Sequence, residues 1–455
     1  MLDTPSLRLP AGMRDFAPRA AAARRRIAET LLGVFESWGY ARVITPAFEY
    51  EDVLGLGLGP EARAEALRFV EPSSGRVVAL RPDFTPQIAR LVATRFRDES
   101  GPLRLCYEGT VLRLERGARS QRELIQAGVE LAGVGGPHGD ADVIALGAAA
   151  LAAAGLAAPA LELTVDLGHL GLMREILAAL GLEAEKERAV RAAIAKRDPA
   201  GLDAALGGAR AGKAVLAFVR ALPELAGAPE IVLPRAARQA PSEPIRRAIG
   251  DLQAIVDAVV ERAPPVRLHV DLAEVRGFDY YTGVRFQAFA LGSADPVLQG
   301  GRYDDLLGRY GRPSPAVGFA IDVEASAAVL EAATPPAPAP ATNGAAATGA
   351  SVTGVLVTGA PAAAAAHAAE LRARGQLAAP LLVTMGRSEA EAYGVRWGYR
   401  EVIDAGGGEP GASSAAARQK TKKQTKQANK QAKKGGAPGR PAGHASQTRT
   451  RTRKA

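Results

Sequence analysis

Two neighbouring stretches, RLCYEGTVLRLER (104–116) and LIQAGVEL (124–131), decide the fold. In the second, period-two alternation puts Ile125, Ala127, Val129 and Leu131 on one face and Gln126, Gly128 and Glu130 on the other. The first reads as two strands, Leu103–Tyr107 and Thr110–Leu114, joined only by Glu108-Gly109. So short a connection requires antiparallel neighbours, because a parallel pair needs a crossover of roughly a dozen residues. Further strand-like segments lie at Arg76–Leu80, Val266–Val270 and Tyr281–Phe289. Ala20–Trp38 carries Ile27, Leu31, Val34, Phe35 and Trp38 at helical spacing. Thr85-Pro86, read as N-cap and first turn, opens a helix with Ile88, Leu91, Val92 and Phe96 on one side. Residues 170–262 read as mostly helical and are taken as an inserted subdomain. The expectation is an α+β fold, an antiparallel sheet flanked by helices.

The polar face of LIQAGVEL admits two readings. A strand with Gln126 and Glu130 on one side either faces solvent or lines a polar pocket, since buried acids and amides need partners. Gly128 between them would let a ligand approach that face closely.

Composition then divides the chain. Its 455 residues carry a formal charge of +9, which as one number suggests a nucleic-acid partner. The 13 basic residues from Arg418 to Lys454 face no acid beyond Gly411, and residues 1–410 hold 44 basic against 48 acidic side chains. The excess therefore belongs to a Lys/Arg-rich tail, 405–455, expected to be disordered. Thr334 to Ser351 alternates Pro with Ala and reads as a linker, leaving a body at 1–333 and a small α/β module at 352–404 with two strands and two helices. The tail lacks interleaved aromatics for base stacking, so only weak, salt-sensitive contacts with nucleic acid are expected of it.

Several classes of chemistry are excluded. One cysteine, Cys106, rules out an intramolecular disulfide framework and cysteine-cluster metal sites. His138, His169, His269 and His367 are scattered without ligand spacing, so no metal is expected. LGLGLGP (54–60) is not followed by the Lys-Ser/Thr of a P-loop. VLVTG (355–359) lacks the paired acids that precede a phosphoribosyl-binding loop. No cofactor is expected. The N-terminus MLDTPSLRLP has no apolar core of a signal peptide, and no stretch reads as a membrane span, so a cytoplasmic protein is expected.

Seven blocks carry a family resemblance: LRLPAGMRDFAP (7–18), LRPDFTPQIAR (80–90), RLCYEGTVLRLER (104–116), LIQAGVEL (124–131), RGFDYYTG (276–283), QGGRYDDLL (299–307) and PAVGFAIDVEAS (315–326). In this order and spacing they resemble histidyl-tRNA synthetase. The resemblance implies the class II synthetase fold, dimeric across its first motif, where Pro46 matches the motif-one proline. It also implies a histidine pocket. Asp83 and Thr85 match the residues that hold the α-amino group, with Asp where the synthetase has Glu; Tyr107, Gln126 and Glu130 match pocket residues. Arg276 matches the arginine near the carboxylate, and Tyr280 and Tyr281 match tyrosines around the imidazole. With this resemblance, pocket lining becomes the favoured reading of the Gln126 and Glu130 face.

The nucleotide side departs from the pattern. Arg113 matches the motif-two arginine of the α-phosphate, but the loop after it is about one residue short, and the motif-three Gly-Leu-Glu-Arg reads Asp322-Val323-Glu324-Ala325. A lost cation and an added carboxylate both oppose the binding of a triphosphate. With the short C-terminal module, this combination resembles the regulatory subunits of ATP phosphoribosyltransferase. That resemblance implies a non-catalytic partner of the short-form catalytic subunit in the first step of histidine biosynthesis, a hetero-octamer, and feedback control by histidine. A divergent histidyl-tRNA synthetase is the rival expectation, and an RNA-binding protein acting through the tail is a third.

Overall fold

The computed structural model describes residues 8–114, 121–274, 280–293, 295–333, 354–397 and 399–405. The chain divides into two compact units between Ser351 and Val352. The linker expected at 334–351 and the tail beyond Ala405 lie outside the described residues.

A nine-stranded sheet organises the first unit. Its order is Ala41–Arg42, Leu103–Leu112, Glu123–Ala132, Ala316–Asp322, Leu298–Arg302, Val284–Phe289, Thr164–His169, Arg267–Asp271 and Ala226–Gly227. The six strands from Leu103–Leu112 to Thr164–His169 pair antiparallel throughout. Ala41–Arg42 with Leu103–Leu112, and Thr164–His169 with Arg267–Asp271, are parallel. The second of these is possible because the chain between its strands is long and mostly helical, with helices at Leu170–Leu180, Ala184–Ala195, Pro199–Ala205, Lys213–Ala221, Pro229–Gln239 and Glu243–Arg262.

One expected turn is absent. Leu103–Leu112 is a single ten-residue strand, and Glu108 and Gly109 pair in register with Ala127 and Gln126. Gly109 serves close packing: a Cβ there would lie 2.7 Å from Arg81 Nη2 and 3.1 Å from Phe84 Cζ.

The alternation read in LIQAGVEL holds through the sheet. Ala127, Val129, Leu131, Phe286, Val317, Phe319 and Ile321 point to one side, into a core built with helices Pro18–Ser37, Pro137–Ala153 and Glu243–Arg262. Burying each large side chain there contributes on the order of 1.5–3 kcal/mol. The opposite face is covered at one end by helix Thr85–Thr94, with Phe84, Ile88 and Val92 against Leu105, Tyr107 and Tyr303. Thr85 is the first residue of that helix, with Phe84 at the N-cap, so its hydroxyl can bond away from the helix.

A three-stranded antiparallel sheet, Phe48–Tyr50, Val77–Leu80 and Arg68–Val70, presents exposed Phe48, Phe69, Val70 and Val77, with exposed Ile44 nearby in sequence. The second unit has a parallel sheet ordered Ala378–Pro380, Val355–Thr358, Glu401–Asp404, with helices Pro361–Ala373 and Arg387–Trp397. Its third strand is not expected from the sequence: Ala-Ala-Pro carries neither alternation nor β-branched residues. Among the described residues no helix is long and apolar enough to cross a membrane.

Candidate functional site

The site lies on the sheet face opposite the helical core, and glycines make room for it. Register places Glu130, Gly318, Gly301, Arg285 and Gly168 in one row across five strands, with Gly128 one row away. Each glycine is overlaid by a neighbouring side chain. A Cβ on Gly301 would lie 2.8 Å from the Tyr281 ring, one on Gly168 2.8 Å from Glu274 Cβ, and one on Gly128 2.6 Å from Tyr107 Cζ. A Cβ on Gly318 would run into the Glu130 carboxylate. The close approach allowed by Gly128 is therefore used by Tyr107, which also stacks on Phe84 at 4.3 Å between ring centres.

Two carboxyls sit on this floor. Asp83 Oδ2 accepts from Tyr280 Oη at 2.6 Å, and its Oδ1 accepts from the Thr85 N–H at 3.2 Å. Glu130 Oε1 accepts from Thr85 Oγ1 at 2.8 Å and Tyr107 Oη at 3.5 Å, and Oε2 accepts from Tyr303 Oη. Thr85 thus bridges the two acids. Burial pushes the Glu130 carboxyl up to about 8, with the hydroxyl donors opposing the shift and Asp83 adding to it. Burial holds the Tyr303 and Tyr280 hydroxyls well above their ordinary range.

Above the floor opens a cavity of about 510 Å³. Asp83, Thr85, Arg113, Gln126, Tyr280 and Tyr281 line it. Gln126 is only 8% exposed, and its Oε1 is buried with no hydrogen-bond partner among the described residues. Such an acceptor costs on the order of 1–3 kcal/mol until a donor arrives. Tyr107 and Glu130 lie beneath the lining rather than in it, and Arg276 lies outside the described residues.

The outer part of the cavity is bounded by helix Val323–Ala333. Ala325 and Ala328 line it, where the synthetase pattern would set an arginine at 325. Arg113 Nε donates to Pro82 O at 2.7 Å. Arg14 and Gln121 both bond the buried Glu324, and Arg24 pairs with Glu331 at 3.1 Å, so two arginines clasp this helix. Asp322 caps the same helix, its Oδ1 accepting from the N–H groups of Glu324 at 2.8 Å and Ala325 at 2.9 Å. Its carboxyl is raised chiefly by burial, against the cap bonds and the charges of Arg113 and Arg14.

Sequence reasoning missed Tyr303, the third hydroxyl on Glu130, and the Arg14–Glu324 pair. Tyr303 follows strand Leu298–Arg302, where no periodicity marks it, although it stands inside the quoted QGGRYDDLL block. No group of three metal-ligating side chains occurs among the described residues.

The histidyl-tRNA synthetase family model matches residues 12–325. An ATP phosphoribosyltransferase regulatory subunit of Geobacter sulfurreducens is 40% identical over 324 residues, 71% of this chain and 73% of that protein. A protein of the same name from Anaeromyxobacter sp. (strain K) is 41% identical over 334 residues, 73% of this chain and 93% of that one. The crystal structure of an ATP phosphoribosyltransferase regulatory subunit/histidyl-tRNA synthetase from Bacillus halodurans C superposes with a TM-score of 0.73 at 25% identity, covering 88% of this chain and 98% of that chain. With relatives at this identity and coverage, and Ala325 where the synthetase pattern has an arginine, the chain belongs to the ATP phosphoribosyltransferase regulatory subunits, a family built on the class II histidyl-tRNA synthetase fold.

Proposed function

We propose that this chain is the non-catalytic partner of a short-form ATP phosphoribosyltransferase catalytic subunit in histidine biosynthesis, and that histidine is its effector. The observation that carries the effector reading is the buried Gln126 Oε1, unpartnered among the described residues, at the wall of a cavity that also presents Asp83. An α-ammonium supplies the missing donor to Gln126 and a counter-charge to Asp83. Arg276 is proposed to meet the carboxylate, with Tyr280 and Tyr281 beside the ring. Histidine then acts through different affinities for two states of the assembly.

The proposed assembly is a hetero-octamer whose regulatory chains pair with each other through the exposed apolar face around Phe48 and Phe69. Transferase chemistry resides on the partner. Purified chain mixed with the catalytic subunit is expected to raise ATP phosphoribosyltransferase activity and to co-elute with it at the mass of the complex. Histidine-dependent ATP–pyrophosphate exchange by the chain alone would sink this reading in favour of a synthetase. Gln126→Leu and Arg276→Ala are each expected to weaken histidine binding to the complex at least tenfold by calorimetry. Unchanged affinity in both would move the effector site elsewhere.

A further inference from the structure

We infer that a groove on the helical side of the sheet is a second binding site, suited to a small monocarboxylate with an apolar body. The site goes beyond the effector reading and does not depend on it. The groove has a volume of about 360 Å³, inside the usual range for small-molecule sites. It lies between helix Pro18–Ser37 and the sheet edge formed by Ala41–Arg42, Leu103–Leu112 and Glu123–Ala132. Register puts Glu108 and Ile125 on the sheet face away from Tyr107 and Gly128, so the two cavities have different floors. Phe16, Ala21, Ala28, Leu32 and Ile125 supply apolar walls.

Arg24 is the anchor. It is only 6% exposed, and its Cζ lies 4.1 Å from the centre of the Phe16 ring. Among the described residues its hydrogen bonds all leave from Nη1, to Ala20 O at 3.0 Å and to Glu331 Oε1 at 3.1 Å. Its Nε is buried and has no partner among them. The Nε–Nη2 edge, whose two parallel N–H groups match the two oxygens of a carboxylate, is therefore unused by the described residues. Glu331 is 52% exposed, so it compensates the buried cation weakly.

Charge sets the ligand class. Arg25 pairs with Glu29 at 2.8 Å and Arg42 with Glu108 at 3.2 Å, and all four side chains border the groove. With Arg24, three arginines stand against two glutamates and leave one positive charge over. That surplus matches a carboxylate better than a phosphate monoester, which carries nearly two negative charges at neutral pH. A neutral amide would leave the guanidinium edge without a counter-charge, and an oxyanion without a body would forgo the apolar walls. Arg24 also borders the outer part of the larger cavity, so a test must separate the two places.

The test is a ligand-observed NMR titration of the full-length chain with benzoate. Saturable binding at one site per chain is expected, with benzamide and acetate at least tenfold weaker and phenyl phosphate severalfold weaker. Glu108→Gln frees Arg42 and raises the groove's charge, so it should tighten benzoate binding severalfold; Arg42→Gln should weaken it by a similar factor. Arg24→Gln should abolish binding, and the two rim variants carry the test if that buried change prevents folding. Absence of saturable binding to the unaltered chain would overturn the site, as would benzamide, acetate or phenyl phosphate binding as tightly as benzoate. An affinity unmoved by both rim variants would overturn it too. So would displacement of benzoate by histidine, which would place the probe in the larger cavity.

Discussion

Gly318 shows how tightly single residues define this site. Its missing Cβ is the space occupied by the Glu130 carboxylate, so Gly318→Ala must displace either the acid or the strand pair beneath it. We expect a loss of about 2–3 kcal/mol in urea unfolding together with loss of histidine binding. Gly33 is the control: it lies inside helix Pro18–Ser37 with nothing within 4 Å of a Cβ, so Gly33→Ala should stabilise by up to about 1 kcal/mol. Glu130 also gives stability a pH dependence. The native carboxyl holds its proton to about pH 8 and the unfolded one to about 4.5, so the native state binds more protons between those values. The contribution is full below the lower value and falls as pH rises through the upper one. Urea midpoints should drop between pH 5 and pH 9 by less in Glu130→Gln than in the unaltered chain. At this scale the sequence is half legible. The alternation of Gln126 and Glu130 marks a polar face, but only the register shows Gly318 beneath Glu130 and Tyr303 above it.

Among the elements, helix Val323–Ala333 departs most from its sequence reading. As residues in a motif, Asp322 and Ala325 signal opposition to a nucleotide; as backbone, Asp322 is the first thing the helix needs. Asp322→Ala should cost about 1–2 kcal/mol through the lost cap, read as a fall in Tm, while Asp322→Asn should recover most of it. A full loss in Asp322→Asn would mean that its charge, rather than its hydrogen bonds, matters to the helix. The strand Leu103–Leu112 differs from its reading for a related reason. Gly109 looks like a turn from sequence because sequence does not show Arg81 and Phe84 pressed against it. Alternation and helical spacing report which faces are apolar, and these faces are where the core lies. Where a residue is chosen for its approach to something distant in sequence, local pattern carries no trace of it.

For the whole molecule, the charge divides into an almost balanced body and a basic tail, and the proposed regulatory function rests on the body. Removing 405–455 should leave activation of the catalytic subunit unchanged in the transferase assay. Phe48→Glu with Phe69→Glu should halve the mass of the isolated chain in light scattering; an unchanged mass would show that self-pairing uses another face. Fold class is readable at this scale from the alternation of the long strands and the helical spacing beside them, although the short connection read at Glu108-Gly109 is part of one strand. The mixed pairing at the far side of the sheet is not, since it depends on where a long excursion returns. That return has a practical consequence. Strands Thr164–His169 and Arg267–Asp271 run in the same direction, so the chain leaves at one end of the sheet and re-enters at the other, about 17 Å away. The helices from Leu170 to Arg262 thus carry the chain from one end of these neighbouring strands back to the other. They cannot be excised and sealed with a tight turn; any replacement must itself run back along the length of a strand.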